Sequence, residues 1–125
     1  MIVDTTVMVD LTRDRKEARQ FLITNPQEQR ISRISVMEIV EGLQTQQAIA
    51  VFKKQLTSLA LEIVEIDQSV SEVAGTIFEQ YYHSNGIGIS DALIAATALV
   101  FREQLITHNT KHFQFISDLA VKVPY

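Results

Sequence analysis

Apolar positions along the chain alternate between short extended runs and helical stripes. Met1–Asp4 reads as a short buried strand, followed by helices over Thr5–Leu11 and Arg15–Ile23. Arg30–Ile34 reads as a second short strand. Val36, Ile39, Val40 and Leu43 then recur at helical spacing, as do Ile49, Phe52, Leu56 and Leu59. Leu61–Ile66 alternates apolar and acidic residues, as a strand does. Val70, Val73, Ala74, Ile77, Phe78 and Tyr81 form the fullest helical stripe. Ser90–Phe101 is a helix apolar on almost every side, which predicts a central position. Gln104–Thr107 and Leu119–Val123 are closing strands. Loops are marked by Pro26 within Asn25–Gln29 and by Asn85-Gly86-Ile87-Gly88.

Short strands alternating with helices predict an α/β fold with a parallel sheet covered on both faces. In such folds ligands bind beyond the carboxyl ends of the strands. Polar residues just after strands and at helix starts are therefore the candidates for chemistry. Three carboxylates qualify. Asp4 closes the first strand, Glu38 falls in the first turn of a helix, and Asp91 opens the apolar helix. A fourth polar position, Asn109, follows the strand Leu105-Ile106-Thr107. Each acid also has a purely structural reading. Asp4 suits a helix cap, Glu38 stands at capping-box spacing from Ser35, and Asp91 sits well at a helix N-terminus capped by Ser90. The two readings are compatible, because a carboxylate at a helix start can still reach a metal. Jointly the three would share one sheet edge. Hard cations such as Mg²⁺ and Mn²⁺ prefer oxygen ligands, and clustered carboxylates repel one another without a cation.

These segments resemble the PIN-domain family, and within it the VapC-type toxins. Asp4-Thr5-Thr6-Val7-Met8-Val9-Asp10 is similar to the family's DTxxxID opening. Ser35-Val36-Met37-Glu38-Ile39-Val40-Glu41-Gly42 resembles its SxxxExxxG helix. Asp91-Ala92-Leu93-Ile94-Ala95-Ala96-Thr97-Ala98 is close to DxLIAATA, and Thr107-His108-Asn109-Thr110-Lys111-His112-Phe113 to TxNxxHF. The four pieces stand in the family's order across 125 residues. The resemblance implies a three-layer α/β/α sandwich around a mostly parallel sheet. It implies a metal-dependent endoribonuclease using Mg²⁺ or Mn²⁺, with Asp4, Glu38 and Asp91 as metal ligands and Asn109 beside them in the catalytic group. Thr5 and Thr107 would orient ligands or water. The substrate would be single-stranded or looped RNA, cut to a 5′-phosphate and a 3′-hydroxyl. The protein would form a homodimer and be silenced by a VapB-like antitoxin whose C-terminal arm fills the acidic groove. Many relatives carry an acid where this chain has Asn109, and many carry Asn. An amide oxygen coordinates a hard cation without adding charge, so a second metal would bind weakly or only with substrate.

Composition narrows the field. The length suits a single domain spanning residues 1–125. There are no cysteines, which excludes a disulfide scaffold, thiolate zinc and a cysteine nucleophile, and fits a cytoplasmic location. No signal-peptide pattern precedes the acids near the start, and no apolar run is long enough to span a bilayer, so a soluble protein with no membrane partner is expected. The net charge of −4 argues against a general nucleic-acid coat, but carboxylates gathered on a cation would cancel locally.

Arg13, Arg15, Lys16 and Arg19 form a basic cluster that reads as a solvated helix face with ion pairs to Asp14 and Glu17. Arg13 is the member retained as a possible RNA contact. Lys111 and His112, near Asn109, are stronger candidates for touching RNA. Arg30, Arg33, Lys53, Lys54 and Arg102 read as dispersed surface charge. Asp10 and Glu41 read as solvent-facing or structural, with Asp10 the exception to watch. His83 ends a helix and suits its dipole. His108 and His112 stand four apart, but on strand and loop with no third ligand near, so no zinc site is expected. The alternatives to a toxin nuclease are a PIN-like module that binds RNA or protein without cutting, and a nuclease of RNA processing.

Overall fold

A computed structural model describes all 125 residues. The chain runs β1 (Ile2–Val3), α1 (Thr5–Thr12), α2 (Lys16–Thr24), β2 (Gln29–Ser32), α3 (Arg33–Gly42), α4 (Gln46–Ser58), β3 (Leu61–Val64), α5 (Gln68–Asn85), α6 (Ile89–Phe101), β4 (Leu105–Ile106) and β5 (Val121–Lys122). A 3-10 turn at Thr110–His112, which the sequence pattern does not announce, lies between the last two strands. The strands form one sheet in the order β3-β2-β1-β4-β5, and every pairing is parallel. Parallel neighbours require crossovers; helix pairs supply the first three, and the segment carrying the 3-10 turn supplies the one from β4 to β5.

Alternation along each strand divides the core between the two faces. Val3, Ile31 and Ile106 point to one side, where Val7, Met8, Leu11, Leu22, Phe52 and Leu56 of α1, α2 and α4 bury them. Ile2 and Leu105 point to the other, against Val70, Ala74 and Ile77 of α5 and the alanine-rich α6. The result is the expected three-layer sandwich, with a wholly rather than mostly parallel sheet. Ala92, Ala95, Ala96 and Ala98 are all buried, and their small size lets α6 lie close to α5 and the sheet. Gly86 ends α5 in the left-handed conformation (φ 65°), its N–H bonded to the Tyr82 carbonyl.

Side-chain caps set the starts of three of the six helices, α3, α4 and α5. Asp67 accepts from the Val70 N–H at 2.9 Å and Thr45 from the Ala48 N–H at 3.1 Å. Two expected caps are corrected. The cap of α3 is Ser32, not Ser35, and it accepts from the Ile34 N–H at 3.3 Å. The helix therefore starts earlier, Glu38 falls in its second turn, and Ser35 is fully buried with no partner for its hydroxyl. The residue before α6 is Gly88 rather than Ser90, and no side chain caps that helix. Arg30 is also not dispersed surface charge. Its guanidinium is enclosed by Glu28, Glu62 and Glu103, at the end of the sheet away from Asp4. Arg33 pairs with Glu65. No helix is long and apolar enough to cross a membrane.

Candidate active site

The strand order places the switch point between β1 and β4, where successive crossovers diverge to opposite sides of the sheet. That crevice is where ligands bind in open α/β sheets. Asp4 leaves β1 and Thr107 leaves β4 at this point, and the Asp4 N–H is anchored to the Ile106 carbonyl at 2.9 Å. Asp4 occupies the N-cap position of α1, yet its side chain caps nothing. Its Oδ2 instead accepts from the hydroxyls of Thr107 at 2.7 Å and Thr6 at 2.9 Å. The residue is 3% exposed. Oδ1 takes no hydrogen bond from the protein and is not sealed from solvent. Asp4 thus presents one fixed, unused oxygen to the crevice.

Glu38 and Asp91 approach the same place from α3 and α6. Glu38 accepts from the Thr5 hydroxyl at 2.8 Å through Oε1. Its pKa is raised, chiefly by loss of water around the carboxyl. The Thr5 hydrogen bond opposes this, and the fields of Asp4, Asp91 and Glu41 add to it. Asp91 is raised as well, again first by desolvation, with His112 opposing and Asp4 adding. The His112 Nδ1 lies 3.1 Å from Asp91 Oδ2. Both acids feel Asp4, and Glu38 feels Asp91, so acids far apart in sequence share one electrostatic neighbourhood.

No three His, Asp or Glu side chains close into a ready-made metal cage. The donors suit a hard divalent cation in kind, being all oxygen and all acidic.

The raised pKa values carry a stability consequence. An acid whose folded-state pKa lies above its unfolded value binds more protons in the folded chain. Its contribution to stability therefore falls as pH rises through that window. Glu38→Gln removes one such acid. It is expected to raise the melting temperature of the metal-free protein at pH 7 by about 2–4 °C. Scanning calorimetry should show the gain shrinking as pH falls through the ordinary glutamate range and Glu38 takes up its proton in both states. A variant less stable than wild type at pH 7 would contradict the raised pKa assigned to Glu38.

The other expected residues are distributed unevenly. Asn109 is exposed, and its backbone N–H donates to the Thr107 hydroxyl at 3.0 Å, while its side chain makes no hydrogen bond within the protein. Lys111 is exposed in the 3-10 turn. Arg13 caps the far end of α1, about 13 Å of helical rise from Asp4. His108 and His112 face different carboxylates, Asp10 and Asp91. Sequence reasoning missed Thr6, which bonds Asp4 and accepts from the His108 N–H at 3.2 Å. The Thr5-Thr6 doublet after the acid was the only available signal. It also missed His112 as a partner of Asp91, and the role of Tyr125 at Asp10.

Known proteins share both sequence and fold with this chain. Ribonuclease VapC19 of Mycobacterium tuberculosis is 30% identical over 122 residues, covering 94% of this chain and 95% of that protein. A toxin–antitoxin complex from Klebsiella pneumoniae contains a chain 32% identical to this one. It superposes with a TM-score of 0.81 over 99% of this chain and 97% of that one. FitAcB from Neisseria gonorrhoeae follows at 26% identity and a TM-score of 0.76, covering 98% and 96%. Residues 1–117, which contain every acid of the crevice, match the PIN domain, and the chain belongs to the PIN-domain family in its VapC-type branch.

Proposed function

We propose that this protein is a VapC-type toxin, an endoribonuclease that hydrolyses RNA phosphodiesters with Mg²⁺ or Mn²⁺. The observation that carries the reading is the convergence of Asp4, Glu38 and Asp91 on the β1–β4 switch point. Asp4 Oδ1, Glu38 and Asp91 would hold the cation, with Asn109 available as a neutral oxygen ligand. A divalent ion there supplies positive charge to the phosphate and to the attacking water. The chain's own groups do the positioning. Thr6 and Thr107 fix the Asp4 carboxylate, and Thr5 fixes Glu38. His112 holds Asp91, and with Lys111 stands at the side of the crevice where a phosphate backbone would approach.

The relatives' toxin–antitoxin setting extends the reading. A VapB-like antitoxin would cover the acidic crevice, the active form would be a homodimer in the cytoplasm, and residues 1–125 would act as one nuclease domain.

The test compares wild type with Asp91→Asn on structured RNA, with Mg²⁺, with Mn²⁺ and with chelator. New 5′-phosphate ends should appear only for wild type with metal. Metal should also raise the wild-type melting temperature. Binding to the folded state alone contributes about 2.7 kcal/mol at a hundredfold excess over Kd, and Asp91→Asn should lose most of this. Equal cleavage by both proteins removes the assignment. Chelator-resistant RNA binding without cleavage would favour a non-catalytic module, the reading that the net charge of −4 and Asn109 support.

A further inference from the structure

Next to the acids lies a cavity of about 320 Å³ bounded by Thr6, Val9, Asp10, Arg15 and His108. Thr6 is common to both places, since its hydroxyl bonds Asp4 and accepts from the His108 N–H. The cavity is therefore separated from the candidate metal site by one side chain. The phosphodiester chemistry proposed above uses none of its other residues.

Their arrangement is ordered. Asp10 Oδ2 accepts from the Tyr125 hydroxyl at 2.7 Å and from Arg15 Nη1 at 3.2 Å, with His108 Nε2 at 3.4 Å. The Tyr125 ring meets the His108 ring edge-on at 4.6 Å between centroids, meets Phe21 at 6.2 Å, and lies 5.8 Å from the Arg15 guanidinium. Asp10 is largely enclosed, at 13% side-chain exposure, while Arg15 is half exposed. Asp10 Oδ1 takes no hydrogen bond and is not sealed in. The cavity thus combines the His108 ring, a guanidinium plane and one free carboxylate oxygen whose charge Arg15 offsets, while Tyr125, outside the lining, packs against His108 and Arg15.

Single-stranded RNA is recognised by this combination. Splayed bases stack on aromatic rings or Arg planes and are read by hydrogen bonds along their edges. A carboxylate oxygen accepts from the exocyclic amino group that adenine, cytosine and guanine carry and uracil lacks, whereas uracil's one edge donor, N3–H, is flanked by two carbonyl oxygens that a carboxylate repels. We propose that this cavity is a nucleobase subsite, receiving a base that bears an exocyclic amino group from the RNA strand next to the phosphate being cut. The inference rests on the nuclease reading only in requiring that RNA cross the acidic crevice.

The experiment uses full-length protein and a randomised single-stranded RNA pool, with cleavage ends sequenced. Wild type should select against uracil at one position flanking the cut, and Asp10→Asn, which offers a donor as well as an acceptor, should relax that selection. His108→Ala should raise KM about tenfold with kcat within about twofold, as loss of a stacking platform does. Uracil accepted equally at every flanking position, selection that persists in Asp10→Asn, or a kcat loss at constant KM overturns the subsite. A wild type that binds RNA without cutting it defeats the nuclease reading, not this one. Fluorescence anisotropy with 12-residue oligo(A) and oligo(U) then decides. Tighter oligo(A) binding that Asp10→Asn abolishes supports the subsite, and equal affinities overturn it.

Discussion

Asp4→Asn is expected to lower the single-turnover rate of RNA cleavage by about a thousandfold, corresponding to about 4 kcal/mol of lost transition-state stabilisation. The substitution preserves the shape of the side chain and the backbone link to Ile106. It removes the charge from the most enclosed acid of the crevice, at 3% exposure. It also disturbs the two hydroxyls that now converge on Oδ2, because an amide presents an acceptor at one end and donors at the other. The single oxygen left free for a cation is then neutral, or is replaced by an NH₂ group. Folding should survive, since a buried charge in a repelling cluster is lost rather than created. The decisive comparison is with Glu79→Gln, an equally conservative change at an exposed acid of α5, which should keep its rate. An Asp4→Asn rate within tenfold of wild type would show that this carboxylate does not hold the reacting centre.

The second large effect is on stability. Phe113→Ala should cost about 3–5 kcal/mol, a substantial part of a typical domain's total of about 5–15 kcal/mol. Phe113 is 1% exposed and packs in the cluster formed by Ile2, Leu105, Ile94 and Ile116. It lies on the segment that returns from β4 to β5 and ties that segment into the core. Truncation leaves a cavity that such short strands cannot collapse to fill. Thermal unfolding should shift down by about 10–20 °C. The same residue anchors the 3-10 turn that carries Lys111 and His112, so the His112–Asp91 contact should loosen as well. Phe113→Leu should recover most of the loss. A Phe113→Ala protein that melts within 3 °C of wild type would show that the ring is not part of the core.

Much of this architecture is legible in the chain. Periodicity located all six helices and all five strands, because 3.6-residue and two-residue repeats are local properties of which face is buried. The strand edges were less legible. Leu61–Ile66 ends as β3 at Val64 and Leu119–Val123 shrinks to Val121–Lys122, because pairing depends on a neighbour's register and not on the strand's own residues. The start of α3 was misplaced for a related reason. Ser32 and Ser35 are equally good caps by type, and only the end of β2 selects between them.

The sequence by itself determined that Asp4 would stand just after a strand and Asp91 at a helix start, while Glu38, expected in a first turn, falls in the second turn of α3. Tertiary structure decided which side chains hold them. Thr107 reaches Asp4 across 103 residues, His112 reaches Asp91 across 21, and Tyr125 reaches Asp10 across 115. These contacts follow from the order β3-β2-β1-β4-β5, which makes β1 and β4 neighbours although most of the chain lies between them. Local propensity carries no information about that adjacency. It arises from burying two faces of one sheet beneath two sets of helices, a solution that the whole set of apolar surfaces reaches together.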